Sequence, residues 1–121
     1  MVLLCFCIGS CGTGDCRNTI LKEWSYPNGS MTVSTFERNC GATTAKNMQL
    51  LLRLSVDKFD PNKQPSFLVF EAGSMASVIW VSETELKVVL PKTVRIYRQD
   101  PLVGSIKILY ESVSDEKLGD P

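Results

Sequence analysis

Residues 47–56 alternate over a full strand length: Met48, Leu50, Leu52, Leu54 and Val56 fall on one side, and Gln49, Arg53 and Ser55 on the other. Side chains that repeat every second residue lie on one face of an extended chain, which is what a strand on a core requires. Leu and Met are good helix formers, but the alternation favours the strand. Leu51 breaks the polar side, so that face is expected to be partly covered.

The same reading extends in both directions. Residues 18–25 hold Ile20, Leu21 and Trp24 and read as a strand. Tyr26-Pro27-Asn28-Gly29-Ser30 follows, and Asn and Gly tolerate the positive φ that tight hairpin turns need. Residues 31–38 then alternate, with Met31, Val33 and Thr35 on one face and Ser34 and Phe36 on the other, completing a hairpin. Residues 57–65, with two prolines and four charges, are a loop. Further strands are expected over 66–71, 77–82, 86–90, 94–98 and 105–112, with a polar tail over 115–121. About eight short strands and no convincing helix predict an all-β domain. The arrangements open to it are a small antiparallel sandwich, an open barrel or a curled meander.

The chain has 121 residues, 44% hydrophobic and 21% charged, enough to bury the core of one ordinary domain. Thirteen basic and thirteen acidic side chains cancel. No basic stripe is present to displace counterions from a phosphate backbone, so nucleic acid is not an expected partner. There is no histidine. That removes the commonest general base at neutral pH, the Ser-His-Asp and Cys-His arrangements, and every His-containing zinc site. No catalytic residue, metal or cofactor is specified, and the expectation is that the protein is not an enzyme.

The first eleven residues carry a different message. The uncharged apolar run from Val2 to Ile8 is too short to cross a bilayer. It fits the apolar segment of an export signal, and Ile8-Gly9-Ser10-Cys11 ends it as a bacterial lipoprotein signal ends. Cys11 would carry the lipid and residues 12–15 would be a short tether, leaving 16–114 as a single β domain. The several acyl chains of a lipoprotein cysteine hold a protein firmly on a membrane. No Lys or Arg precedes the run, which departs from the usual pattern, and a buried first strand is the competing reading. The expected location is therefore the bacterial cell envelope, lipid-anchored on the non-cytoplasmic face, periplasmic or extracellular.

With Cys5, Cys7 and Cys11 assigned to signal and anchor, Cys16 and Cys40 remain. An even pair in an exported domain reads as a disulfide. Closing a loop of about 25 residues contributes about 3–4 kcal/mol in the chain-entropy model. No Cys-x-x-Cys spacing supports the alternative of a redox-active pair.

Few residues suggest chemistry. Arg38, Asn39, Gly41, Ala42, Thr43 and Thr44 flank Cys40 between two strands. They read either as a wide structural connection or as a small polar binding loop whose amides and hydroxyls meet a ligand. Glu37, Glu71, Glu83 and Glu85 supply carboxylates, but an acid/base pair needs two of them facing one cleft. Asp57, Asp60 and Asn62 offer oxygens for calcium without the EF-hand pattern, so a solvated loop is the simpler reading. Asn28-Gly29-Ser30 fits a glycosylation acceptor inside a self-explanatory turn. Trp24, Tyr26, Trp80, Tyr97 and Tyr110 suit either a small β core or an aromatic binding face.

Cys16, Pro27, Gly29, Phe36, Glu37, Arg38, Cys40, Gly41, Ala42, Thr43, Thr44, Trp80 and Tyr110 together resemble a family of small bacterial envelope proteins of unknown function, lipoprotein-like at their start. The Cys-Gly-Ala-Thr-Thr run is the specific part, and the likeness spans most of the chain after the signal. It implies a membrane-anchored start and brings no activity with it. The resulting expectation is a non-enzymatic, membrane-anchored envelope domain that binds another protein or a cell-wall component. The alternative is an inhibitor or immunity-type protein against an envelope hydrolase or toxin, a role suited to rigid loops that lose little entropy on binding.

Overall fold

A computed structural model describes residues 16–41 and 46–114. The signal segment with Cys11, the tether 12–15, loop residues Ala42, Thr43 and Thr44, and the tail 115–121 lie outside the described residues. Among the described residues, nine strands follow in chain order: β1 (Arg17–Ser25), β2 (Met31–Asn39), β3 (Asn47–Leu54), β4 (Ser66–Glu71), β5 (Ser77–Ser82), β6 (Glu85–Pro91), β7 (Ile96–Gln99), β8 (Leu102–Val103) and β9 (Ile106–Val113). They form a five-stranded sheet in the order β1-β2-β3-β4-β7 and a four-stranded sheet in the order β5-β6-β9-β8. Of the three expected arrangements, the chain adopts the sandwich.

Two details differ from the expectation. Residues 99–104, between the strands expected over 94–98 and 105–112, contain the last residue of β7 and the two-residue strand β8. The sandwich is also not wholly antiparallel, because β6 and β9 pair in parallel, Leu86 opposite Ile108 and Val88 opposite Tyr110. The cause is the path between them. After Pro91 the chain crosses to the first sheet and adds β7 beside β4, with Phe70 opposite Ile96. It returns through Pro101, so β9 runs in the same direction as β6. A parallel pair needs such a crossover.

The core lies between the sheets. Val33, Met48, Leu50, Phe70, Leu86 and Val88 are buried in one cluster, with Trp24, Trp80 and Tyr110 packed against it. Two polar clasps join the sheets at their edges. On one side the Trp80 indole N–H donates to the Trp24 carbonyl at 3.1 Å. On the other the Tyr110 hydroxyl donates to the Asp100 carbonyl at 2.6 Å. Burial and the nearby Asp100 carboxylate push the Tyr110 hydroxyl well above its ordinary range, which keeps it a protonated donor.

The outer face of the first sheet is covered as well, as Leu51 suggested. Phe36 and Leu51 point away from the inter-sheet core yet are fully buried. Phe59, from the loop joining β3 and β4, meets Phe36 edge-on at 5.1 Å between ring centres. Beside this apolar patch lies a polar network. The Ser34 hydroxyl donates to Glu23 Oε2 at 2.6 Å. Arg53 donates to the same carboxylate at 2.9 Å and to the Asp57 carbonyl at 2.7 Å, which fixes the start of the loop. Strand β2 is thus enclosed on both faces from Thr32 to Phe36.

The Ser34 and Arg53 hydrogen bonds hold the Glu23 carboxyl below its usual range, against a smaller opposing effect of burial. A depressed carboxyl stabilises the fold above its unfolded pKa, and that contribution is lost as pH falls through the folded value. Urea midpoints of the wild type and Glu23→Gln are therefore expected to differ most near neutral pH and to converge on acidification below about pH 4. A gap that stays constant down to pH 3 would mean that the Glu23 charge adds nothing to stability.

Candidate functional site

The two ends of the sandwich differ. At one end Cys16 and Cys40 are bonded, with sulfurs 1.96 Å apart, one step beyond the last β1–β2 pair, Arg17 opposite Asn39. The end of β4 is held there by the Glu71 N–H donating to the Arg95 carbonyl at 2.9 Å. The end of β9 is held by the Lys92 N–H donating to the Val113 carbonyl at 2.9 Å. Both limits of the described domain therefore emerge at the disulfide end.

The opposite end is open. Four connections meet there: the hairpin turn after β1, the start and finish of the 57–65 loop, the β5–β6 turn and the β8–β9 turn. The first and last need Gly29 at φ 81° and Gly104 at φ 59°, values that side-chain-bearing residues resist. The Gly29 N–H donates to the Tyr26 carbonyl at 2.6 Å and closes the hairpin. Between these connections lies a groove of about 740 Å3. Met31, Leu52, Val103 and Ile106 form its apolar floor, continuous with the core, and Tyr26 forms one wall. Tyr26 is steadied by Trp80, whose ring it meets edge-on at 5.4 Å. Asp57, Lys63 and Gln64 line the lip made by the first sheet, and Glu83 and Thr84 the lip made by the second.

The residues singled out from sequence fall elsewhere. Arg38 and Asn39 belong to the end of β2, paired with β1. Asn39 Oδ1 accepts the Gly41 N–H at 3.1 Å, and Gly41 has φ 123°. This half of the candidate loop lies at the disulfide end, away from the groove. Ala42, Thr43 and Thr44 are outside the described residues. The carboxylates are dispersed: Glu37 pairs with Lys46 at 3.9 Å, Glu71 accepts the Arg95 N–H at 3.0 Å, Glu83 lies in the β5–β6 turn and Glu85 opens β6. Asp60 spends one oxygen on the Asn62 N–H at 3.1 Å, a local turn. Asn28 does the same with Ser30, at 2.9 Å. Of the aromatics, Trp24, Tyr26 and Trp80 gather where β1 meets β5, Tyr110 sits across the core, and Tyr97 is exposed on β7.

No short-range sequence pattern marks the groove, because its lining comes from five separate stretches between Tyr26 and Ile106. An open cleft with an apolar floor and a charged, hydroxyl-bearing rim shares the general make-up of ligand-binding clefts. Compared with models of known families, with curated proteins and with solved structures, the chain matches none.

Proposed function

We propose that this is a non-enzymatic envelope domain, tethered to a membrane through a lipid on Cys11, that offers its groove to another protein or a cell-wall component. The observation that carries the reading is the polarity of the sandwich. Cys16 and the disulfide lie at one end and the groove at the other. A chain tethered just before Cys16 holds the groove away from the membrane. The absence of histidine supports the non-enzymatic part of the reading.

Site-specific photocross-linking of the full-length protein in intact cells tests it. A photoreactive residue at Thr84, on the groove lip, is expected to give a discrete adduct. The same residue at Arg95, at the disulfide end, is expected to give none. Adducts from Arg95 alone, or from neither position, would overturn the proposal.

One observation favours the second reading, an inhibitor or immunity-type protein. The loop beside the groove is preorganised: Gln64 donates to the Lys58 carbonyl and accepts the Asp60 N–H, both at 2.7 Å. At its start Val56 is 90% exposed, an apolar side chain on a braced turn. Such a turn enters a hydrolase or toxin cleft with little loss of conformational entropy. Identification of the Thr84 adduct by mass spectrometry separates the two readings, since an inhibitor would be found on a hydrolase or toxin.

A further inference from the structure

We propose that the groove takes a short extended peptide, with one apolar side chain on the floor and flanking charges of both signs on the rim. This rests on the reading of the groove as the partner-binding face and names the chemistry of the partner. The floor, Met31, Leu52, Val103 and Ile106, offers only hydrocarbon and a thioether, so the deepest group of the occupant is an apolar side chain. The volume of about 740 Å3 lies in the range of small-ligand sites and admits a few residues of extended chain.

The rim decides between a peptide and an acyl chain. Arg53 is committed to Glu23 and to the Asp57 carbonyl. The Asp57 carboxylate, the Lys63 ammonium and the Glu83 carboxylate make no ion pair or hydrogen bond among the described residues. Asp57 and Lys63 stand on one lip, and Glu83 is the charged group of the facing lip. An acyl chain has nothing to offer Glu83. A peptide with a basic residue on one side of its apolar anchor and an acidic one on the other meets Glu83 and Lys63 together. Hydroxyls of Ser30, Thr84 and Ser105 around the same opening suit peptide amides.

Display of a random heptapeptide library on the immobilised full-length protein tests this. The wild type is expected to enrich peptides with an apolar residue flanked by a base on one side and an acid on the other. A selected heptapeptide, used as the probe, is expected to bind about 2–5-fold more weakly to Glu83→Lys and to Lys63→Glu, the range for one exposed ion pair. Renewed selection on each variant is expected to invert the charge at the affected position. Both residues are exposed, and thermal melts of the variants confirm folding independently. No enrichment, one unchanged consensus on all three proteins, or saturable binding of lauric acid alone would overturn the inference. A Thr84 cross-link in cells alongside a failed peptide selection would leave the partner-binding face standing and reject only the peptide.

Discussion

Replacing Phe36 with Ala is expected to destabilise the fold by about 3–5 kcal/mol, the range for removing a buried aromatic ring. Phe36 lies outside the inter-sheet core, on the outer face of the first sheet, yet it is as buried as any residue between the sheets. Phe59 reaches it from the 57–65 loop and Leu51 shares its face. Truncation would leave a cavity that a paired strand on one side and an Arg53-fastened loop on the other cannot easily close. Phe59→Ala, at a half-buried position, is expected to cost less, about 1–2 kcal/mol. Because the two rings touch, the double variant should cost less than the sum of the singles. Urea unfolding of the four proteins measures this. A Phe36→Ala loss below about 1 kcal/mol would mean that the outer layer is not packed.

The second large effect concerns the staple. Changing Cys16 and Cys40 together to Ser is expected to cost about 3–4 kcal/mol, from the loop of sequence separation 24 that the bond closes in the unfolded chain. The bond extends the β1–β2 register by one step, and β1 is an edge strand with one sheet neighbour. Loss of the bond therefore frees the open end of the hairpin first. At roughly 4–8 °C per kcal/mol for a domain of this size, the melting temperature should fall by about 12–32 °C. Hydrogen exchange should quicken most along β1. A shift of only a few degrees would mean that the hairpin is held by its packing alone.

Much of the fold was legible because its signals are local. The alternation over 47–56 placed Met48, Leu50 and Leu52 in the core and flagged Leu51 as covered, and each is buried where it was expected. The Pro-Asn-Gly turn marks the first hairpin, and the expectation of an export signal carrying Cys5, Cys7 and Cys11 pointed to Cys16 and Cys40, which are bonded. What was hidden depends on contacts distant in sequence. The parallel β6–β9 pairing follows from a crossover through the other sheet, which the apolar pattern of residues 105–112 does not encode. Strand β8 is two residues long and carries no period of its own. Leu54, aligned with core residues in the alternation, is half exposed because the strand ends there at the mouth of the groove.

The candidate site was the least legible part. The described members of the conspicuous run around Cys40 lie at the end where the disulfide closes and serve strand pairing and a local turn. The groove is assembled from unremarkable residues such as Met31, Leu52, Val103 and Ile106. Sandwich geometry makes them a floor by leaving the ends of the two sheets apart.

The proposed anchoring at one end and presentation at the other both depend on one covalent property, the state of the chain before Cys16. Intact mass spectrometry of the protein isolated from the membranes of its own host tests it. The expected species begins at Cys11, carries acyl chains there, and is lighter by two hydrogens for the Cys16–Cys40 bond. A species that retains Met1, bears no lipid and has all five cysteine thiols free to alkylate would contradict it.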